Sequence, residues 1–346
     1  MKKEEKKKTS IIKKIAGFIV SNAAGFIIGA IVFGTIGACA ATIIAGSQVS
    51  YSNASTGLSS TNVQGALDEL YEKSRTNCPK GYVCEKIPLC KRAETLHTET
   101  CSQTSTSGYC SADGYTASGT KGTTTITYGN LGTSGLTTGD AFDCDVNGDG
   151  TYDSETERFY YVTDLEENSD YAVLVYYNNV SGGEPNNMTS YEYNTTYSSS
   201  EYYGPQTAIA QLPTTSQWKN VSLTNIVRDI KDEKGTVRVE GFSYEGYAAR
   251  LLTYEEVNRG CYDGTTAIKS RGGISNKCRF LMENTKYSSS SLKTYGGWLE
   301  SPHSKFAAMA WGVFGDTRYL STSYDNNAGG EGVRPVIEVL KSDISL

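Results

Sequence analysis

Apolar and polar positions follow three different periods along this chain. Residues 15–46 form a predominantly apolar run with no charged residue. It exceeds the ~20 residues a helix needs to cross a bilayer. A helix also satisfies its own backbone in lipid, so a single transmembrane helix is expected over 15–46. Further on, Val63, Ala66, Leu67, Leu70 and Tyr71 fall at helical spacing on one face, with Thr61 or Asn62 placed to cap the start. A helix of about 12 residues is marginal alone in water. Its apolar face therefore needs a partner, either the remainder of the chain or sister chains.

Beyond residue 120 the period shortens. Strands are expected over residues 124–130, 141–146 and 158–162. The stretch 171–177 is apolar enough to be a central strand. Residues 204–210 start a helix, and 211–218 show a cap-and-helix pattern after Pro213. Thr253 followed by Glu256 forms a capping box at another helix start. The segment between residues 220 and 240 mixes charged residues with short apolar runs and shows no clear period.

Charge sets an orientation. Residues 1–14 hold seven Lys against two Glu, and the first cation after the apolar run is Lys73. That asymmetry places the N-terminus in the cytoplasm and the remainder outside. A cleaved signal peptide is the other reading, but its apolar core spans only ~7–15 residues. The formal net charge is −6; the tail contributes +5, so −11 remains on the rest, which argues against nucleic acid as a partner. The 25 Tyr, with abundant Ser, Thr, Gly and Asn, suit strands and adaptable binding surfaces.

Cys39 lies within the apolar run, leaving eight others. In an extracellular context these read as disulfides, with roughly a hundred connectivities open. Proximity favours Cys78–Cys84, Cys101–Cys110 and Cys261–Cys278, leaving Cys90–Cys144. Zinc is disfavoured: no CxxC spacing occurs, and the two histidines, His97 and His303, are far apart in sequence. The expected domains are a basic tail (1–14), the membrane helix (15–46), a linker with stalk helix (47–75), a cysteine-rich module (76–119) and a head (120–346).

One loop has metal-binding spacing. Asp145, Asn147 and Asp149 alternate, Gly150 permits a sharp turn, Thr151 offers a carbonyl, and Asp153 binds directly or through water. This D-x-N-x-D-G-x-x-D pattern fits the first half of an EF-hand or dockerin-type calcium loop. Position twelve is Thr156, where a bidentate carboxylate belongs; Glu155 and Glu157 flank it. The alternatives are a structural calcium site and an acidic β-turn that needs no metal.

Several motifs carry resemblances. The 61–73 segment resembles the "NVQ-ALDEL" helix in stalks of phage tail fibres and related surface proteins, which implies chain association, with a homo-trimer as the expectation. Arg250-Leu251-Leu252-Thr253-Tyr254-Glu255-Glu256-Val257, with Leu212-Pro213-Thr214 and Trp218, resembles the "RLPT-x-x-EW" helix start of formylglycine-generating-enzyme-like proteins. Those proteins have the C-type lectin fold. Residues 297–302, 310–313, 315 and 332–337 form a "WL-x-SP … W-x-V … G … GVRPV" series. It is similar to a domain of Gram-positive and gut-metagenome surface proteins and to the variable heads of diversity-generating retroelement targets. The resemblance spans roughly residues 120–342.

The resemblance implies an α+β class, with a C-type-lectin-like antiparallel head carrying two or so helices. Trp298, Trp311, Val313, Val333, Val336 and Ile337 would be core, Arg334 would hold loop carbonyls or a carboxylate, and Pro335 would mark an edge or bulge. In lectin-type heads the segment matching 316–327 carries the ligand surface. The candidate ligand-binding residues are Trp311, Phe314, Asp316, Arg318, Tyr319, Tyr324, Asp325, Asn326 and Asn327; a solvated hairpin is the alternative. Enzymatic activity is not expected. The reactive cysteines of the formylglycine-generating enzymes lie near the chain end, whereas the last cysteine here is Cys278. The expectation is a membrane-anchored bacterial cell-surface protein that binds a glycan or protein ligand, with a self-assembling surface subunit or an envelope hydrolase as alternatives.

Overall fold

The computed structural model describes residues 87–102, 123–186, 189–262, 264, 267–270, 273–282, 296–314, 319–325 and 331–346. The expected membrane helix (15–46) and stalk helix (61–73) lie outside these residues, as do Cys78, Cys84 and Cys110. The chain divides into two compact units between Lys86 and Ile87, and all described residues belong to the second. In chain order the strands are β1 (Cys90–Arg92), β2 (Thr98–Ser102), β3 (Thr123–Thr127), β4 (Ala141–Cys144), β5 (Arg158–Asp164), β6 (Tyr171–Tyr176), β7 (Val180–Ser181) and β8 (Glu184–Pro185). They continue with β9 (Val227–Lys231), β10 (Val237–Ser243), β11 (Trp298–Pro302), β12 (Met309–Phe314), β13 (Tyr319–Tyr324), β14 (Val336–Leu340) and β15 (Ile344–Ser345). The α-helices are α1 (Gln206–Ile209), α2 (Tyr254–Cys261) and α3 (Arg279–Met282).

The expected α+β class is corrected by this inventory, while the expected transmembrane helix falls outside the described residues. The described chain is mostly β, its α-helices are short, and among the described residues no helix is long and apolar enough to cross a membrane. One expected helix shows the physical reason. After Pro213 the cap does form: Thr214 N donates to Gln217 Oε1 at 2.9 Å, and Trp218 N donates to Thr214 O at 2.9 Å. The chain then leaves after one turn, because Asn220 N donates instead to Val146 O at 3.0 Å. A tertiary hydrogen bond overrides the local start signal.

The main sheet has six strands in the order β14-β6-β5-β4-β1-β15. Strands β4, β5 and β6 are nearly continuous apolar runs because both faces are covered. On one face Trp218 packs against Phe159 and Tyr176, at centroid distances of 5.6 and 5.2 Å. On the other, Phe280 of α3 stacks on Tyr160 at 4.8 Å. Asp143 and Arg158 sit directly opposite in the β4–β5 register and share a 2.6 Å hydrogen bond, which gives a fully buried guanidinium its counter-charge. The expected Cys90–Cys144 and Cys261–Cys278 disulfides are both formed. The first joins β1 to β4 at a registered pair, so residues 87–102 belong to the same compact unit as the main sheet. The second ties the end of α2 to the turn before α3.

The ending of the chain matches its sequence signals. Trp298, Val333, Val336 and Ile337 are buried. Arg334 Nε donates to Tyr176 O at 2.8 Å and Nη2 to Tyr177 O at 2.7 Å. Pro335 immediately precedes β14, the edge strand of the main sheet. Two smaller sheets frame the candidate site: the β9–β10 hairpin and the β11-β12-β13 sheet.

Candidate functional site

A cleft of about 860 Å³ opens between the β9–β10 hairpin, the start of α2 and β11. Its floor is a buried charge network. The Thr253–Glu256 capping box turns the first residues of α2 inward, and Glu256 meets Arg250, whose Nη1 donates to Glu256 Oε2 at 2.9 Å. Arg250 Nε donates to Glu338 Oε1 at 2.6 Å. Glu338 also accepts from Thr224 N at 2.8 Å. Arg228 Nε lies 3.2 Å from Glu300 Oε1, near enough for an ion pair but not aligned as a hydrogen bond. Burial disfavours ionisation of Glu256 and Glu338, yet the Arg250 charge and the hydrogen bonds from Arg250, Thr253 and Thr224 together outweigh it and hold both below the usual carboxylate range. Glu300 is the exception: burial pushes it up against the pull of Arg228 and Arg250.

The cleft wall is built by the turn of the hairpin. Asp232 Oδ1 accepts from Lys234 N and Thr236 N, and Arg238 Nε donates to Asp232 Oδ2 at 2.6 Å. That geometry presents Glu233, which accepts from Ser304 Oγ at 2.6 Å, Ser304 N at 2.9 Å and Trp311 Nε1 at 3.1 Å. Burial opposes the Glu233 charge, but the Ser304 and Trp311 donors more than offset it and its pKa is lowered. Trp311 is flanked by Tyr254 at 5.0 Å, by a stacked His303 at 5.7 Å and by Lys269 Nζ at 5.4 Å from its ring. Tyr254 is pushed up to about 12 by burial and by the Glu233 charge. Burial depresses His303; Glu233 opposes this, and Lys269, Lys305 and Lys234 add to it.

A second hollow of about 410 Å³ is lined by Glu233, Lys234, Lys269, His303, Ser304, Lys305 and Phe306. The two share Glu233 and Lys234 and form one groove. Phe306 is 57% exposed at the rim, 5.1 Å from His303. In the larger part nine carboxylates face four cations, so an anionic ligand is repelled there.

The expected ligand residues are only partly brought together. Trp311 is buried, as its expected place in the core has it, rather than presented as a platform. In the β12–β13 register, Trp311 pairs with Thr322 and Met309 with Tyr324, whereas Phe314 pairs with Tyr319. The pleat therefore puts Trp311 and the exposed Tyr324 on one face and Tyr319 on the other. Asp325 is buried, and its N–H donates to Ala308 O at 2.9 Å. Asp316, Arg318, Asn326 and Asn327 lie outside the described residues. Sequence reasoning missed Arg228, Glu233, Tyr254, Glu300, His303 and Phe306. A signal was present for Glu233: residues 232–235 read Asp-Glu-Lys-Gly between two stretches rich in Val and Ile, a hairpin turn pattern.

The acidic loop curls around Asp145. Its Oδ1 accepts from Gly148 N at 2.9 Å and Asp149 N at 3.0 Å, and its Oδ2 from Gly150 N at 3.1 Å. Asn147 Oδ1 accepts from Asp149 N and Asp149 Oδ1 from Thr151 N, both at 2.8 Å. Gly150 has φ +85°, the left-handed turn expected of it. Asp153 accepts from Glu155 N at 2.8 Å. Among the described residues no three acidic, histidine or cysteine side chains stand preformed as a metal cluster. No family model, curated protein or solved structure matches the chain.

Proposed function

We propose that this chain is an extracytoplasmic binding protein whose groove takes a hydroxyl-rich ligand, a surface glycan. The observation that carries this reading is the groove itself. Aromatic rings of Phe306, His303 and Tyr254 lie beside carboxylates fixed by their own hydrogen bonds. Aromatic faces stack on sugar rings, and preorganised acceptors orient hydroxyls. The excess of carboxylates in the larger hollow favours neutral or amino sugars over phosphate-rich polymers. The two disulfides support an oxidising compartment.

A second reading has one observation in its favour. Glu300 and Glu233 line the same cleft with pKa values pushed in opposite directions, the pattern of an acid and a base. It makes glycan cleavage the alternative to glycan capture.

The test is a glycan array probed with the full chain, followed by affinity measurement on the Phe306→Ala variant. Phe306 is exposed, so the variant should melt with the wild type. Its affinity should fall roughly fivefold, the ~1 kcal/mol of one aromatic contact. Failure to retain any glycan, or equal retention by the variant, would overturn the proposal. Cleavage products in the eluate would decide for the second reading.

A further inference from the structure

We infer that the loop from Asp145 to Glu157 is a calcium site, and that Glu157, one residue beyond position twelve, supplies the closing carboxylate. The start of β5 explains the displacement, because Cys144 N donates to Glu157 O at 3.0 Å and carries the β4 pairing one residue past Arg158. Arg158 turns to Asp143 across the sheet, with Nε to Oδ1 at 2.6 Å. Its neighbour Glu157 must project the other way, under the loop. Thr156 has no carboxylate to supply, and its hydroxyl donates to Asp153 Oδ2 at 2.7 Å.

Glu157 is only 3% exposed. Its Oε2 accepts from Asp153 N at 3.2 Å, which fixes the carboxylate against the loop's inner side. Its Oε1 is buried without a well-formed hydrogen bond among the described residues, although a second backbone donor, the Asn147 N–H, also reaches the carboxylate. Buried carboxylate oxygens ordinarily find a donor or a metal. Oxygens at Asp145, Asn147, Asp149 and Asp153, with the Thr151 carbonyl, supply the rest of the set. Six or more oxygens of mixed type on a glycine-hinged loop suit calcium; magnesium demands a tighter octahedron and keeps its water. The ion would also act on the groove. Asn220 Nδ2 donates to Asp145 Oδ2 at 3.2 Å and to Asp145 O at 3.0 Å. From Asn220 the chain runs directly to Thr224, which donates to Glu338 on the cleft floor.

The experiment is calcium titration of the full chain after EDTA treatment, read by calorimetry and by thermal melting. Extracellular modules bind calcium at ~10⁻⁴–10⁻³ M, so 10 mM calcium should raise Tm by about 5 °C. Glu157→Gln keeps the shape and should weaken calcium binding at least tenfold. Asp149→Asn, at an exposed position, should weaken it as well and covers the case in which the first variant does not fold. Three results would each overturn the inference: no calcium-dependent shift in the wild type, an equal response to magnesium, or undiminished calcium affinity in both variants.

Discussion

Arg250 is fully enclosed at the cleft floor, and its charge is shared between Glu256 and Glu338. Replacing it by Met keeps the volume but leaves two carboxylates without their main counter-charge. A buried pair broken on one side costs about 3–5 kcal/mol, so Arg250→Met should lose that much stability at pH 7 by urea unfolding. The pH dependence gives the sign. In the wild type both glutamates are held below their ordinary value. The stabilisation is therefore present above about pH 4.3 and is lost as pH falls through the depressed values. In the variant the orphaned carboxylates accept protons readily on acidification. The gap between the two proteins should shrink steadily between pH 7 and pH 4, and a constant gap would disprove the assignment. Arg250 belongs to the segment that resembles a known helix start, but its partner Glu338 lies 88 positions further along. No local pattern connects them.

At the scale of elements, α2 was the most readable helix because its signals are local. The capping box at Thr253 and Glu256 is present with both reciprocal hydrogen bonds. Strands β4, β5 and β6 were readable for a similar reason, since burial on both faces makes each a run of apolar residues. The β9–β10 hairpin was not. Two register shifts interrupt its ladder, and bulges break the two-residue period that marks a strand. With it went Glu233 and the cleft wall. Packing adds what local signals omit, and Gly260 shows it. A glycine inside a helix ordinarily gains up to ~1 kcal/mol on change to Ala. Here a Cβ would sit 2.4 Å from the backbone oxygen of Val162 in β5. Backbone of a central strand cannot yield cheaply, so Gly260→Ala should destabilise by about 1–3 kcal/mol in urea unfolding, against the sign that propensity predicts.

For the described unit as a whole, the sheet order makes one disulfide matter more than its position suggests. β1 has only three residues, and the C-terminal strand β15 pairs in parallel with it, outside the rest of the sheet. So short a strand holds little pairing of its own. Cys90–Cys144 locks it to β4 across a 54-residue separation, whereas Cys261–Cys278 closes only 17. Loop entropy alone then predicts losses of about 4 and about 3 kcal/mol for the two paired Cys→Ser changes. The distinguishing effect is spatial. Without Cys90–Cys144, hydrogen exchange should accelerate together at the amides of β1 and β15, which are remote in sequence but adjacent in the sheet. The β6–β14 ladder at the other edge should stay protected, because its anchors are Arg334 and the aromatic core. Loss of Cys261–Cys278 should leave β15 slow and loosen the α2–α3 connection instead. Uniform acceleration in both variants would mean that the sheet opens as one unit and that the bridge does not govern how the chain's end is held.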